Sequence, residues 1–438
     1  MKEMSISPAQ RNAWIVSVDM GYGHQRAAFP LAFLSPDKKV ISANNYEGIP
    51  ESDKGVWDKM KAVYYFISRV KNKGLPGKLA FNLYDKLQKI EEYYPLRRKS
   101  APIFQLQKIY DRIEKGWGRH LIEKLGKEPI PLVTSYFAIA FMAEYWNYPG
   151  PIYSIATDSD ISRVWAPLAP ETTRIVYFAP TVRVAERLKK YGVPEKNILF
   201  AGFPLPRELI GADSEIVRRD FRQRLGRLDA KGDYTKQFAP LIESYLEKEL
   251  LNKGSPRPPS LAFVVGGAGA QVEIGVDVLR SLAPLLKNGE MTLHLVAGTS
   301  ADAEKRFREE IRKAGLEARV GTAVTVLYAE TKEEYFAVFA DLLHSVDILW
   351  TKPSELSFYA ALGIPIIIAP PIGAQEIENR KWLVFTGAGV DELSPQFAHQ
   401  WVPDYIQNGR LAEAAMQGFI KVERGGTETI ARAVSGGN

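Results

Sequence analysis

Short apolar runs alternate with stretches of helical periodicity along the whole chain, the pattern of parallel strands joined by crossover helices. In the first half, strands are predicted at 13–18, 39–42, 131–134, 152–157, 174–178 and 198–203. In the second half they fall at 261–265, 292–297, 324–328, 347–350 and 365–369. Between the halves, 208–259 is rich in charge and closes on Lys253-Gly254-Ser255-Pro256-Arg257-Pro258-Pro259, which predicts helices followed by a linker. Each half opens with an apolar strand, a glycine turn and a helix, once at Gly21-Tyr22-Gly23-His24 and again at Gly266-Gly267-Ala268-Gly269. The expected fold class is α/β, two doubly wound Rossmann-like domains facing a cleft, with helices inserted in the first. The expected boundaries are 1–207, a connector at 208–259, a second domain at 260–405, and terminal helices at 406–438 that pack back toward the first domain.

The pattern changes between 53 and 127. Val56, Met60, Val63, Ile67 and Val70 recur at helical spacing, as do Leu79, Leu83, Leu87 and Ile90, and then Leu106, Tyr110, Ile113, Trp117 and Leu121. Three amphipathic helices are predicted. Their outer faces would carry Lys59, Lys61, Arg69, Lys71, Lys73, Lys78, Arg97, Arg98 and Lys99 among Tyr64, Tyr65, Phe66, Tyr93 and Tyr94. Such a face suits an anionic membrane surface, where each Lys or Arg contributes about 1 kcal/mol. A solvated basic face on helices packed against a sheet is the competing reading.

Composition narrows the field. At 438 residues the chain exceeds one domain of roughly 100–200 residues, and 46% apolar with 25% charged residues is globular rather than disordered. Without cysteine there is no disulfide, thiolate metal site or cysteine nucleophile. The net charge of +6 is local: 53–127 holds 18 Lys or Arg against 8 Asp or Glu, so the remainder is net negative. The first apolar run stops at Asp19, short for a secretory signal, and no run approaches the roughly 20 apolar residues that span a bilayer. A cytoplasmic protein that meets the inner face of the membrane from one side is expected.

The chemistry-bearing segments sit at predicted strand ends. His24 follows the first glycine turn at a helix start, where ligands collect in open α/β sheets, and an imidazole of ordinary pKa near 6.5 suits a general base. Capping of the helix is the plainer role for it. The glycines at 266, 267 and 269 permit close backbone approach to phosphate, but Val272 stands where a dinucleotide fingerprint has its third glycine, which disfavours NAD. No P-loop and no His-Glu-x-x-His pattern is present. Thr351-Lys352-Pro353-Ser354-Glu355 predicts a strand end followed by a helix capped at Ser354, and Gln375-Glu376-Ile377-Glu378-Asn379 predicts a second polar strand end. Both suit a diphosphate and sugar hydroxyls.

Taken in order, these segments resemble the GT-B glycosyltransferases, in particular the monogalactosyldiacylglycerol synthases and processive diacylglycerol glucosyltransferases, and more distantly the peptidoglycan N-acetylglucosaminyltransferase. The resemblance rests on Gly21, Gly23 and His24, on Thr157-Asp158 with Trp165, on Gly202-Phe203-Pro204, on the glycines from 266, on Thr351-Lys352-Pro353, and on Gln375-Glu376 with Asn379. Three positions depart from it: Ser354-Glu355 replaces a glycine pair, Ser162 replaces a histidine, and Gly373-Ala374 precedes Gln375 where the family has Pro-Gly.

The resemblance implies a metal-independent hexosyl transfer with inversion, from a nucleotide sugar such as a UDP-sugar to a lipid or lipid-linked hydroxyl, with no further cofactor and no nucleic-acid partner. It implies His24 as base and Gly266, Gly267, Gly269, Lys352, Ser354, Glu355, Gln375, Glu376 and Asn379 on the donor. Gly21, Gly23, Asp158 and Trp165 fall on the acceptor side, and 322–331 near the nucleobase. A nucleotide-sugar epimerase on the same scaffold and a non-enzymatic membrane or RNA binder are the alternatives.

Overall fold

A computed structural model describes residues 12–70, 90–95, 102–246, 257–267, 269 and 271–436, with side chains 64–70 omitted. The chain divides into two compact units: Met1–Leu205 with Gly373–Glu378 and Glu423–Asn438, and Pro206–Ile372 with Asn379–Val422.

The first unit is built on β1 (Trp14–Ser17), β2 (Ile41–Ser42), β3 (Leu132–Thr134), β4 (Ile152–Ile155), β5 (Val176–Ala179) and β6 (Ile198–Phe200). All are parallel, in the order β2-β1-β3-β4-β5-β6. Ile15, Val16, Leu132 and Val133 are buried, as expected for strands covered on both faces. The strand order reverses between β1 and β3, because the chain leaves β1 for β2 and returns on the other side.

Its helices are α1 (Gly23–Ala28), α2 (Glu51–Val70), α3 (Phe104–Glu114), α4 (Arg119–Leu125), α5 (Phe137–Tyr145) and α6 (Val182–Lys190). From Ala138 to Ala143, α5 is buried all round, so it has no polar face to lose. Of the three helices predicted in 53–127, the middle one lies almost wholly outside the described residues. The third divides into α3 and α4 at Gly116 and Gly118, whose φ of 105° and 83° end the helix, and a Cβ at Gly118 would run into Met142.

The apolar spacing of the third is nevertheless buried in full at Leu106, Tyr110, Ile113, Trp117 and Leu121. In α2, Trp57 packs on Trp117 with centroids 4.7 Å apart, and buried Asp53 accepts the Gly118 N–H at 3.2 Å. Val63, expected on the apolar face, is half exposed. Lys61 does not face outward as expected; its Nζ lies 2.8 Å from Asp19 Oδ2 just past β1. Arg69, Lys71, Lys73, Lys78, Arg97, Arg98 and Lys99 fall outside the described side chains.

The second unit holds β7 (Ser260–Val264), β8 (Thr292–Gly298), β9 (Val324–Tyr328), β10 (Ile348–Thr351), β11 (Ile366–Ile368) and β12 (Gly389–Asp391), parallel in the order β12-β11-β10-β7-β8-β9. Its reversal lies between β7 and β10. Val264 pairs with Thr351 and Thr351 with Ile368, so three strand ends stand level. The helices used below are α7 (Glu215–Leu228), α8 (Val272–Asn288), α9 (Ala301–Lys313) and, from Asn379 on, α10 (Ala374–Thr386), whose first turn is counted with the first unit.

The stretch expected as a connector is part of this unit. From α7, Phe221 stacks on Phe419 at 4.3 Å, while Arg224 donates to the carbonyls of Leu343, Val346 and Leu362. Burial pulls the Arg224 pKa down to about 10. Arg227 and Arg257 both grip Asp347 at the foot of β10. Losing one partner of so buried a pair costs roughly 3–5 kcal/mol.

Candidate functional site

In an open parallel sheet, ligands sit outside the carboxyl ends of the strands where the order reverses, since the loops there diverge and leave a crevice. Each unit has one such point, and the glycine turns at 21–23 and from 266 follow the strands that flank them.

In the first unit the point lies between the loops after β1 and β3. Gly21 turns the chain with φ of 74°, Gly23 opens α1, and His24 is its second residue. The cap position belongs to Tyr22, which makes no side-chain cap, and the imidazole instead crosses to β3, its Nδ1 lying 2.7 Å from the Ser135 carbonyl oxygen. A carbonyl only accepts. Nδ1 therefore carries the hydrogen, and in the neutral ring Nε2 carries the lone pair.

Ser135 is itself fixed, its N–H reaching Val16 O at 3.3 Å and its hydroxyl Ser17 Oγ at 3.0 Å. Rings continue from there: His24 meets Tyr136 edge-on at 5.0 Å, Tyr136 lies 4.8 Å from Phe137, and Phe137 5.1 Å from Trp165. Trp165 is thus joined to His24 through two aromatic rings, but it is 6% exposed and belongs to the core. Asp158 is half-buried in the loop after β4. Close by, Asp160 is buried in a bidentate pair with Arg187 at 2.8 and 3.0 Å.

In the second unit the point lies between the loops after β7 and β10. A Cβ on Gly266 would sit 2.7 Å from Lys352 Cε and 3.4 Å from its Nζ, so the lysine stem lies across the glycine. Two segments 86 residues apart in sequence are thereby in contact, and the missing side chain makes room for the ammonium group. Gly267 continues the turn. Gly269 has φ of 70°, its N–H donates to Gly266 O at 2.8 Å, and a Cβ there would meet Ser300 Oγ, the cap of α9, at 3.6 Å.

After Lys352 the structure departs from expectation. Ser354 makes no side-chain cap, and the following Glu355–Leu362 is a buried 3-10 helix, not an α-helix. Glu355 is buried. Asn379 is fully buried on α10 and donates to Pro353 O at 3.2 Å, which pins the turn that carries Lys352. Gln375 and Glu376, half-buried in the first turn of α10, belong to the first unit. The stretch 322–331 forms β9 at the sheet edge, and Thr331 caps the helix Lys332–Leu343.

Two contributors carried no sequence signal. Ser135 acts through a backbone oxygen, which any residue supplies. Gln271, the residue before α8, adopts φ of 69° and donates from Nε2 to Pro370 O at 2.7 Å.

Residues 242–393 match the model of a domain of unknown function (DUF6938). Among curated relatives, the processive diacylglycerol beta-glucosyltransferase of Bacillus cytotoxicus is 24% identical over 299 residues, covering 66% of this chain and 64% of the relative. That of Bacillus subtilis is 21% identical over 298 residues, covering 66% and 65%. The match thus spans slightly less than two thirds of these relatives' length. Among solved structures, S. aureus MnaA with UDP has a TM-score of 0.47 and 11% identity over 96% of this chain and 95% of that one. MurG of Acinetobacter baumannii has 0.45 and 13% over 97% and 99%. The chain is similar to the processive diacylglycerol beta-glucosyltransferases, as its motifs implied, and it carries the two parallel α/β sheets expected of it.

Proposed function

We propose that the chain is an inverting glycosyltransferase that moves a hexosyl group from a nucleotide sugar, a UDP-sugar in the first instance, to the hydroxyl of a lipid or lipid-linked acceptor at the cytoplasmic face of a membrane. The observation that carries this reading is the anchoring of His24 by the Ser135 carbonyl, which makes Nε2 the basic nitrogen at the first unit's strand reversal. Nε2 takes the proton of the acceptor hydroxyl, the freed oxygen bonds to the anomeric carbon from the face opposite the diphosphate, and the carbon–phosphate oxygen bond breaks. The leaving diphosphate goes to the second unit, where the Gly266–Gly269 turn offers close backbone approach and Lys352 a positive charge. Fixed donors of this kind stabilise the charge that develops on the leaving group.

Gln375 and Glu376 hold the transferred sugar, Glu355 supports that site, and Asn379 acts through the Lys352 turn. Asp158 lies toward the acceptor. The similarity to diacylglycerol glucosyltransferases supports the lipid class of acceptor, and the basic composition of 53–127 supports the membrane surface.

The test is direct. The chain is incubated with diacylglycerol vesicles and radiolabelled UDP-glucose, UDP-galactose or UDP-N-acetylglucosamine. Label in the lipid extract is the expected result, and label confined to the aqueous phase with every donor contradicts the proposal.

A further inference from the structure

Gln271 stands where the glycine turn meets α8, and it holds a left-handed backbone, φ 69° and ψ 21°, that is unfavourable for a residue with a Cβ relative to the right-handed form. Glycine would adopt that conformation without the penalty, and the same turn already uses glycine at 269. The side chain does not repay the penalty as a helix cap, since it makes no bond to the α8 N–H groups. It reaches instead across 99 residues of sequence and donates its amide to Pro370 O in the loop after β11.

The level strand ends give this bond its meaning. Val264, Thr351 and Ile368 are paired in a row, so a link from the β7 loop to the β11 loop must pass the end of β10, where Lys352 begins. Lys352 lies on Gly266, on the β7 side of that gap. Asn379 fastens the Lys352 turn by way of Pro353, and Gln271 fastens the two loops flanking it.

We infer that Gln271 is a positioning residue for the nucleotide diphosphate: it straps the loops after β7 and β11 together at the spacing in which the glycine turn and Lys352 engage the same anion. This inference rests on the proposed donor role of the second unit. It assigns a specific part to a side chain that does not cap the helix it precedes.

Two substitutions separate strap from scaffold. Gln271→Gly removes the strap and relieves the backbone, so the fold is expected to keep or raise its thermal midpoint. Gln271→Glu keeps the length but replaces the donor with an acceptor. UDP and UDP-glucose are titrated calorimetrically into each protein, and KM for UDP-glucose is compared with kcat. Loss of one neutral hydrogen bond of about 1 kcal/mol predicts roughly fivefold weaker UDP binding and a roughly fivefold higher KM in both variants, with kcat within twofold of the parent. Unchanged affinity in both variants, beside a parent that binds UDP, overturns the strap and leaves the donor reading intact. A parent that binds neither UDP nor UDP-glucose overturns both.

Discussion

The two strand reversals are built from different materials. In the first unit the point is made of a side chain: an imidazole on a six-residue helix, locked by one carbonyl and lined by a row of aromatic rings. In the second it is made largely of what is left out, glycines at 266, 267 and 269, with a lysine laid across the space. A proton acceptor has to be one oriented atom. An anion cradle has to be open backbone with charge beside it. If the two turns serve the proposed separate uses, damage to one should leave the other intact.

The sharpest way to break the comparison is His24→Ala. On the proposed reading it removes the base, and it is expected to lower turnover by about 100-fold or more while leaving UDP affinity within twofold, as steady-state kinetics beside calorimetry would reveal. Unchanged turnover would take His24 out of the chemistry.

Gly266→Ala is the counterpart. The three atoms nearest the new methyl all belong to the flexible Lys352 side chain, so the lysine is expected to swing away and the fold to survive. UDP affinity should fall about tenfold, a loss of about 1.4 kcal/mol, with the thermal midpoint little changed. A variant that binds UDP as the parent does would show that the lysine's position is irrelevant.

A third effect concerns a histidine away from both reversals. His294 lies within β8 with its ring nitrogens against Thr325 Oγ1 at 2.7 Å and Ser260 Oγ at 2.9 Å, and burial, with Arg257 nearby, pulls its pKa down to about 4. The unfolded chain, with a histidine near 6.5, binds more protons between those values. Stability from this group is therefore complete above about pH 6.5 and drains away as pH falls toward 4, at no more than about 1.4 kcal/mol per pH unit. Urea unfolding at pH 7 and 5 should show that slope, and it should flatten in His294→Gln. An equal slope in both proteins would refute the assignment.

Much of the frame could be read in advance because buried parallel strands announce themselves as apolar runs closed by Gly, Pro or polar residues. Eleven such runs became strands. The twelfth, Gly389–Asp391, is three residues at a sheet edge with one buried side chain, too little for a pattern. The charged stretch after 208 reads as helices and a linker between domains because sequence does not distinguish an arginine in water from Arg224, whose guanidinium is spent on three backbone carbonyls.

Lys61 was misread for a related reason: its partner Asp19 is 42 residues away. At the candidate site, the residue types with intrinsic chemistry stood out. Ser135 and Gln271 did not, as one acts through its backbone and the other through a bond set by strand order. Ser354 shows the converse, a residue with capping chemistry that the 3-10 geometry leaves unused as a cap.

The most direct test titrates UDP-glucose into the parent, His24→Ala and Gly266→Ala proteins in parallel and then measures single-turnover transfer to diacylglycerol vesicles at saturating donor. The account predicts parent-like binding with transfer abolished or slowed about 100-fold for His24→Ala, and binding weakened about tenfold with transfer largely restored at saturation for Gly266→Ala. Equal loss of binding in both variants, or full transfer by His24→Ala, would contradict it.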